Sequence, residues 1–336
     1  MVETKLEIKQ LRGRFVSDFN LPIPVVQSPY FEDRLELLEE EYMAKTLYEN
    51  LLFMIDEKFD GNPNKFLEYY HQVRDNIITS ITNSEAYKDF ISNEKFVKNI
   101  VPICSNRNLY TNEQDGCMFI SYDMKKANFQ TLKYANPAIV CDANTYEDFI
   151  GKFTDLDYIK QSKYTRQVIF GKLNPKRTMT LEKWITNEVA KSIVSSTNGI
   201  INIFAKEHSR DYIMVGKLTL FSINSDEIIF KWNGNEKEFE KCEILPSISF
   251  EGIEYKGSKF KLYTRKFKLA TSNSILTVYE KEDYLNANRR ILRGVPATYY
   301  PQVYKLLNGI KIVDSDLVFY YEHELARFLY PLELVP

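Results

Sequence analysis

Residues Cys117–Phe129 read CMFISYDMKKANF, and the fold class turns on this stretch. Met118-Phe119-Ile120 is a short apolar run of the kind that makes a buried strand, and it leads into a carboxylate, Asp123. The period then changes: Lys125, Lys126, Ala127, Asn128, Phe129, Leu132 and Lys133 suit a helix, with Leu132 and Lys133 three and four residues after Phe129. A strand that delivers an Asp at its C-terminal end, beside two lysines, is a place for chemistry if a second carboxylate reaches it from elsewhere.

Lys217–Trp232, KLTLFSINSDEIIFKW, offers that carboxylate. Leu218, Leu220 and Phe221 precede Asn224-Ser225-Asp226-Glu227, and Ile228, Ile229, Phe230 and Trp232 follow. Polar, turn-favouring residues between two apolar runs predict a β-hairpin with Asp226 and Glu227 at its tip. Two carboxylates on neighbouring strands suit a pair of divalent cations ~3.5–4 Å apart, the arrangement used for phosphoryl transfer. Mg²⁺ asks for hard oxygen ligands and is usually held by one or two carboxylates together with substrate phosphates.

Outward from these motifs, Met1–Pro24 reads as a lead-in segment. Tyr30–Asn99 is helical in pattern, with Leu35, Leu38, Tyr42, Leu47, Leu51 and then Phe66, Tyr70, Val73, Ile77 and Ile81 at helical spacing, broken by GNPN at Gly61–Asn64. Ser105–Gly116, SNRNLYTNEQDG, is polar and turn-rich and predicts a domain boundary. Thr145–Phe153 and Asp155–Ser162 read as helical or mixed, and an amphipathic helix is expected over Leu181–Ser195. Ile200–Phe204 and Tyr212–Val215 read as apolar runs leading into the hairpin. Ile244–Glu280 alternates in short pieces and predicts an antiparallel sheet with a turn over Thr271–Ser274. A strand over Ile310–Tyr321 and helices over Pro301–Asn308 and Glu322–Leu329 close the chain. The fold class is therefore α+β: a helical N-terminal region (1–112), a central antiparallel sheet with helices (113–235), and a β-rich basic C-terminal region (236–336).

Two basic segments stand out. Lys160–Lys183 carries Lys160, Lys163, Arg166, Lys172, Lys176, Arg177 and Lys183 against one acid, Glu182, and its centre is RQVIFGKLNPKR. Such a cluster can hold a triphosphate or a strand backbone; the bland alternative is a solubilising loop. Lys256, Lys259, Lys261, Arg265, Lys266 and Lys268 form a run with no intervening acid, interleaved with Phe260, Tyr263 and Phe267. That pattern can track a nucleic-acid backbone and stack bases, although polar-out strands are lysine-rich in any case. Asn286–Arg293 adds Arg289, Arg290 and Arg293.

The totals narrow the classes. At 336 residues and 44% hydrophobic, the chain can bury a sizeable core. A net charge of −2 means that only local patches could bind nucleic acid. Cys104, Cys117, Cys141 and Cys242 show no metal-type pairing, and none of the three histidines lies near a Cys, which argues against zinc and against a disulfide scaffold. The sequence has no signal-peptide pattern and no apolar run of membrane-spanning length, so a reduced, cytoplasmic setting is expected.

At motif level the chain resembles palm-domain nucleic-acid polymerases, loosely those of family A. INSDEIIFKW is similar to the third palm motif of that family, where Asp-Glu sits in a hairpin flanked by aliphatics. YDMKKANF resembles the first palm motif, shared more loosely by polymerases and reverse transcriptases. Ser225 stands where family A usually carries His, and no Tyr-x-Asp-Asp occurs. The resemblance implies a palm-like sheet in which Asp123 and Asp226 ligate Mg²⁺ (or Mn²⁺), with Glu227 as a neighbouring catalytic acid. It places Lys126, Asn128 and Phe129 at the nucleotide: Asn128 where single-subunit viral RNA polymerases read the ribose, Phe129 near a sugar-discriminating position. Arg166, Lys172, Lys176 and Arg177 would stand in for the nucleotide-binding fingers. The implied partners are DNA or RNA and nucleoside triphosphates, and not a membrane. The many Tyr, Asn, Lys and Ile residues fit an AT-rich phage or viral genome, and hence the host cytoplasm or a virion. Two other classes stay open: a metal-dependent nuclease using the same acids, and a non-catalytic nucleic-acid-binding or viral assembly protein.

Overall fold

The computed structural model describes residues 2–96, 98–195, 203, 216–269, 274–285 and 290–335. The expected apolar runs at 200–204 and 212–215 (Ile203 apart), the first three residues of the 271–274 turn, and Arg289 lie outside the described residues. No described helix is long and apolar enough to cross a membrane.

Helices α1 (Val2–Phe19), α2 (Tyr30–Leu37), α3 (Glu39–Tyr42), α4 (Ala44–Phe59), α5 (Pro63–Asn83) and α6 (Glu85–Ser92) form the N-terminal region. The expected lead-in is thus a helix. Leu11 and Phe15, four residues apart, are buried, and Asp18 beside them is buried as well. GNPN does what its residues dictate. Asp60 and Gly61 take positive φ to end α4, the Asn62 side chain accepts from the N–H groups of Asn64 and Lys65, and Pro63 occupies the first helical position.

The chain then runs through β1 (Met118–Met124), α7 (Ala127–Ala135), α8 (Tyr146–Gly151), α9 (Asp157–Gln161), α10 (Lys163–Gly171), α11 (Pro175–Val194), β2 (Leu218–Ile223), β3 (Glu227–Trp232), α12 (Glu236–Lys241), β4 (Ser247–Phe250) and β5 (Ile253–Leu269). The strands from β1 to β5 include a β-α-β-β-α-β course with spatial order β2-β3-β1-β5 and antiparallel neighbours. The sheet continues into β6 (Ser274–Asp283) and β7 (Arg290–Arg293). β5 therefore joins the region expected at 236–336 to the central sheet, and the sheet is continuous across residues 235 and 236. After α13 (Tyr300–Leu307), β8 (Val318–Tyr321) and β9 (Glu324–Arg327) form a hairpin, and β10 (Glu333–Val335) pairs with β5. The helix expected over Glu322–Leu329 is this hairpin's second strand. Glu322 and His323, both at positive φ, make the turn without any glycine to announce it.

Period-two alternation sorts β1 between two cores. Ile120, Tyr122 and Met124 join the large cluster shared with the helices, including α1–α6; Phe119 packs on the other face with Phe221, Ile229, Phe260 and Leu262. Leu109 is buried in that second cluster. The Arg107 N–H donates to Ser222 Oγ (2.9 Å) and the Gly116 N–H to the Leu262 carbonyl (2.8 Å). The polar stretch Ser105–Gly116, expected as a boundary, thus lies across the sheet's second face.

Candidate active site

Strand register brings the acids together. Asp123 is paired directly with Glu227 across β1 and β3, and the Met124 N–H donates to the Asp226 carbonyl at 2.7 Å. Paired residues of an antiparallel ladder have Cβ atoms about 4.5–5.5 Å apart and share a face. Asp123 and Glu227 therefore share the face of Phe119 and Ser121, while Asp226 lies in the hairpin turn just before β3. There α11 closes the group. The Thr186 hydroxyl donates to the Ser225 carbonyl (2.9 Å), which ties the hairpin turn to the helix, and lies 3.3 Å from the Tyr255 hydroxyl.

One helical turn before Thr186 is Glu182, a carboxylate only 7% exposed on the buried stripe of α11. Glu182 was legible as the lone acid of the basic segment but not as a partner of Asp123 and Asp226. Burial, then the charges of Asp226 and Asp123, push its carboxyl up to about 7. Asp123 keeps an exposed side chain, yet the protein around it excludes enough water to raise it to about 7 as well, with Asp226 and then Glu227 adding repulsion. Asp226 is raised by burial and by Glu227. Lys281 and Lys256 pull Asp123 the other way; Lys256 is its β5 pairing partner. Among the described residues none of these four acids forms an ion pair. Asp226, Asp123 and Glu182 also act on the Tyr255 phenol, which burial raises far above its ordinary range.

The arrangement suits a cation. Like charges crowd at the end of the sheet, and the oxygens offered are hard carboxylate donors of the kind Mg²⁺ or Mn²⁺ takes. Among the described residues no three His, Cys, Asp or Glu side chains are grouped to ligate one ion by themselves. The fit is therefore to a cation held by two carboxylates, Asp123 and Asp226, with ligand oxygens completing the shell. Beside Glu227, a cleft of about 440 Å³ is lined by Asn106, Arg107, Tyr110 and Asn224 among others.

The residues expected at a nucleotide divide into two sets. Lys126, at positive φ before α7, and Arg166 of α10 both lie over the Tyr146 ring, at 5.0 and 5.7 Å. Burial and the neighbouring Arg166 lower Lys126 to about 8. Lys126 is ion-paired to Glu147, whereas Arg166 has no carboxylate partner among the described residues. Asn128 is exposed on the first turn of α7. Phe129, by contrast, is 2% exposed and packs against Tyr146 and Phe149, so its ring belongs to the core. Arg177 donates to the Phe90 and Asn93 carbonyls, which caps the end of α6. Lys172 and Lys176 are exposed, Lys172 acting on Asp75 of α5 and Lys176 lining a small cleft with Asn174 and Thr180.

The basic strand does not form one track. Lys259, Lys261 and Arg265 alternate onto one face of β5, Lys266 and Lys268 onto the other. Lys259 is buried, donating to the Glu240 and Cys242 carbonyls (3.0 and 2.7 Å) at the end of α12. Lys261 pairs with Glu236 (2.7 Å) and Arg265 with Glu280 (2.7 Å). Lys266 and Lys268 remain exposed. No protein-family model, curated protein or solved structure matches this chain, so its activity has to be read from the chemistry of the acid cluster itself.

Proposed function

We propose that the protein is a palm-type nucleotidyltransferase that extends a nucleic-acid strand from nucleoside triphosphates. The observation that carries this reading is the meeting of Asp123, Asp226 and Glu182 at the end of an antiparallel sheet of order β2-β3-β1-β5, with none of them ion-paired among the described residues. An unneutralised acid cluster costs stability, which is reasonable where a cation and substrate supply the missing charge.

Asp123 and Asp226 would hold Mg²⁺ or Mn²⁺. A divalent cation so held polarises a phosphoryl oxygen and acidifies a bound hydroxyl. Glu182 and Glu227 enlarge the negative field that retains it, and Glu182 in its protonated form can keep a proton within reach of the other acids. Tyr255 and Thr186 fix the hairpin turn against α11, so that Asp226 stays opposite β1. Lys126 and Arg166 form a cationic wall over Tyr146 suited to phosphate oxygens, with Arg166 as its uncommitted fork. Lys256 and Lys281 flank Asp123 on the open face and suit the backbone of the extended strand.

The test is primer extension with Mg²⁺ or Mn²⁺, comparing the parent with Asp226→Asn and Glu182→Gln. Each substitution should lower the rate about 100-fold or more, the scale set by removing one electrostatic group from a transition state. Undiminished extension by Asp226→Asn would end the assignment. Metal-dependent shortening of the strand without nucleoside triphosphates would transfer the same acids to a nuclease.

A further inference from the structure

A second cationic site lies on elements that the acid cluster does not use. A groove of about 420 Å³ runs between α1, α5 and α10, lined by Gln10, Gly13, Arg14, Ser17, Leu67, His71 and Tyr164. The Arg14 guanidinium lies over two rings, Tyr70 at 4.9 Å and Tyr164 at 4.7 Å. This sandwich fixes its plane, and no described carboxylate is ion-paired to it. The acid whose charge reaches Arg14 is Asp18, one turn along α1. Its oxygens are already occupied: they accept from Tyr70 (2.8 Å), Tyr158 (2.7 Å) and Ser162 (2.7 Å). On the opposite wall His71 has a buried Nδ1 with no hydrogen-bond partner. The positive charges of Arg74 and Arg14 act on the His71 ring, as does the negative charge of Asp75, which is paired with Arg74. A side chain added at Gly13 would meet nothing within 4 Å, so the wall on that side is open.

We propose that this groove binds a phosphate group, with the stacked Arg14 fork as its anchor and His71 in the lining that the phosphate covers. A guanidinium held flat by two rings presents its N–H groups in a fixed plane, which suits two oxygens of one phosphate. Because no described carboxylate is ion-paired to the anchor, phosphate binding breaks no ion pair among the described residues. The phosphate belongs to either a nucleic-acid backbone or a free polyphosphate, and two probes separate these. The inference does not rest on the nucleotidyltransferase reading, since every group that carries it is outside the acid cluster.

Binding of a labelled oligo-dT and of inorganic tripolyphosphate is measured in EDTA, so that cations at the acid cluster do not contribute. Arg14→Gln should weaken the binding roughly tenfold or more, the scale of one hydrogen-bonded charge. For oligo-dT it should also make the salt dependence shallower by about one counterion. Lys88→Gln, which removes an exposed positive charge outside both the groove and the acid cluster, should leave both properties unchanged, which separates this site from a general loss of positive charge. Competition by tripolyphosphate identifies free polyphosphate as an occupant; loss confined to oligo-dT identifies the strand backbone. In the unaltered protein, either probe should slow diethyl pyrocarbonate modification of His71 relative to exposed His323. That measurement decides the matter even if Arg14→Gln fails to fold. Unchanged affinity and salt slope in Arg14→Gln, or an unprotected His71, overturns the proposal.

Discussion

Glu182 carries a burden that can be measured without any substrate. Its carboxyl is raised from 4.5 to about 7, first by burial and then by Asp226 and Asp123. Between those two pH values the native state binds more protons than the unfolded chain. This group therefore costs nothing below about pH 4.5; its penalty grows as the pH rises and is complete above about pH 7. Glu182→Gln should then be more stable than the parent at pH 8, by about 1–3 kcal/mol, and match it near pH 4. Denaturant unfolding in EDTA at the two pH values reads the difference. Saturating Mn²⁺ should stabilise the parent more than the variant. A Glu182→Gln protein no more stable at pH 8 would mean that the acids are not in conflict. Part of this site was legible in the primary structure. Asp123 and Asp226 follow from a strand-end acid and a hairpin tip, which are local patterns. A carboxylate at a core position of an amphipathic helix is also a signal, because Glu is rarely buried without a partner. What it meets there is set by long-range packing of α11 under the hairpin. Lys256 was legible as one base of a basic strand but not as a neighbour of Asp123, since that pairing is fixed by the register of two strands far apart in the chain.

β5 shows how one element serves both the sheet and the site. Its residue Gly257 pairs with Tyr122, the neighbour of Asp123. A Cβ at Gly257 would lie 2.4 Å from the Leu245 carbonyl oxygen. That carbonyl accepts from the Tyr122 hydroxyl at 3.1 Å, so the segment before β4 can press against β5 only because position 257 has no side chain. Gly257→Ala should cost about 1–3 kcal/mol, the usual range for overpacking, read as a lower denaturation midpoint with an unchanged slope. A neutral effect would show that residues 244–246 are free to move away. The boundary at Asn62-Pro63 was readable because local chemistry sets it; at Asn174-Pro175, where the Asn side chain accepts from the Arg177 N–H, the same chemistry starts α11 six residues before the Leu181 expected. Boundaries were not readable where local chemistry does not set them. α1 turns inward with few apolar residues and a buried Asp18, and the β8–β9 turn uses Glu322 and His323 in place of glycine. The basic residues of β5 mislead for a third reason. A period of two divides neighbouring lysines between opposite faces, so a run of positive charge along a strand is not a positive surface.

At the scale of the molecule, the two ends of the chain are joined through one buried charge pair. Arg34 on α2 donates to Asp316 (2.8 Å) and to the Ser315 carbonyl (2.6 Å). Asp316, 0% exposed, also accepts from Lys305 (2.7 Å) and from the Val313 N–H (2.8 Å). Burial pushes the Arg34 guanidinium down and Asp316 pushes it back up, so the charge is tolerable only while its partner is present. Removing that partner leaves two cations facing each other in a dry setting. Asp316→Ala should therefore cost about 3–5 kcal/mol, whereas replacing Arg34, Asp316 and Lys305 together with apolar residues of similar volume should cost much less. The large hydrophobic cluster runs from Leu11 through α4 and α5 to Tyr122 and Tyr255 without a break, and it includes Tyr300 of α13. With a shared core, loss of the pair should shift a single unfolding transition to lower temperature. Calorimetry of Asp316→Ala tests this directly. A separate early transition, with the acid-bearing sheet melting at the parent's temperature, would show that the helical N-terminal region and the sheet fold independently. A shift equivalent to less than about 1 kcal/mol would show that water reaches Arg34 once Asp316 is gone.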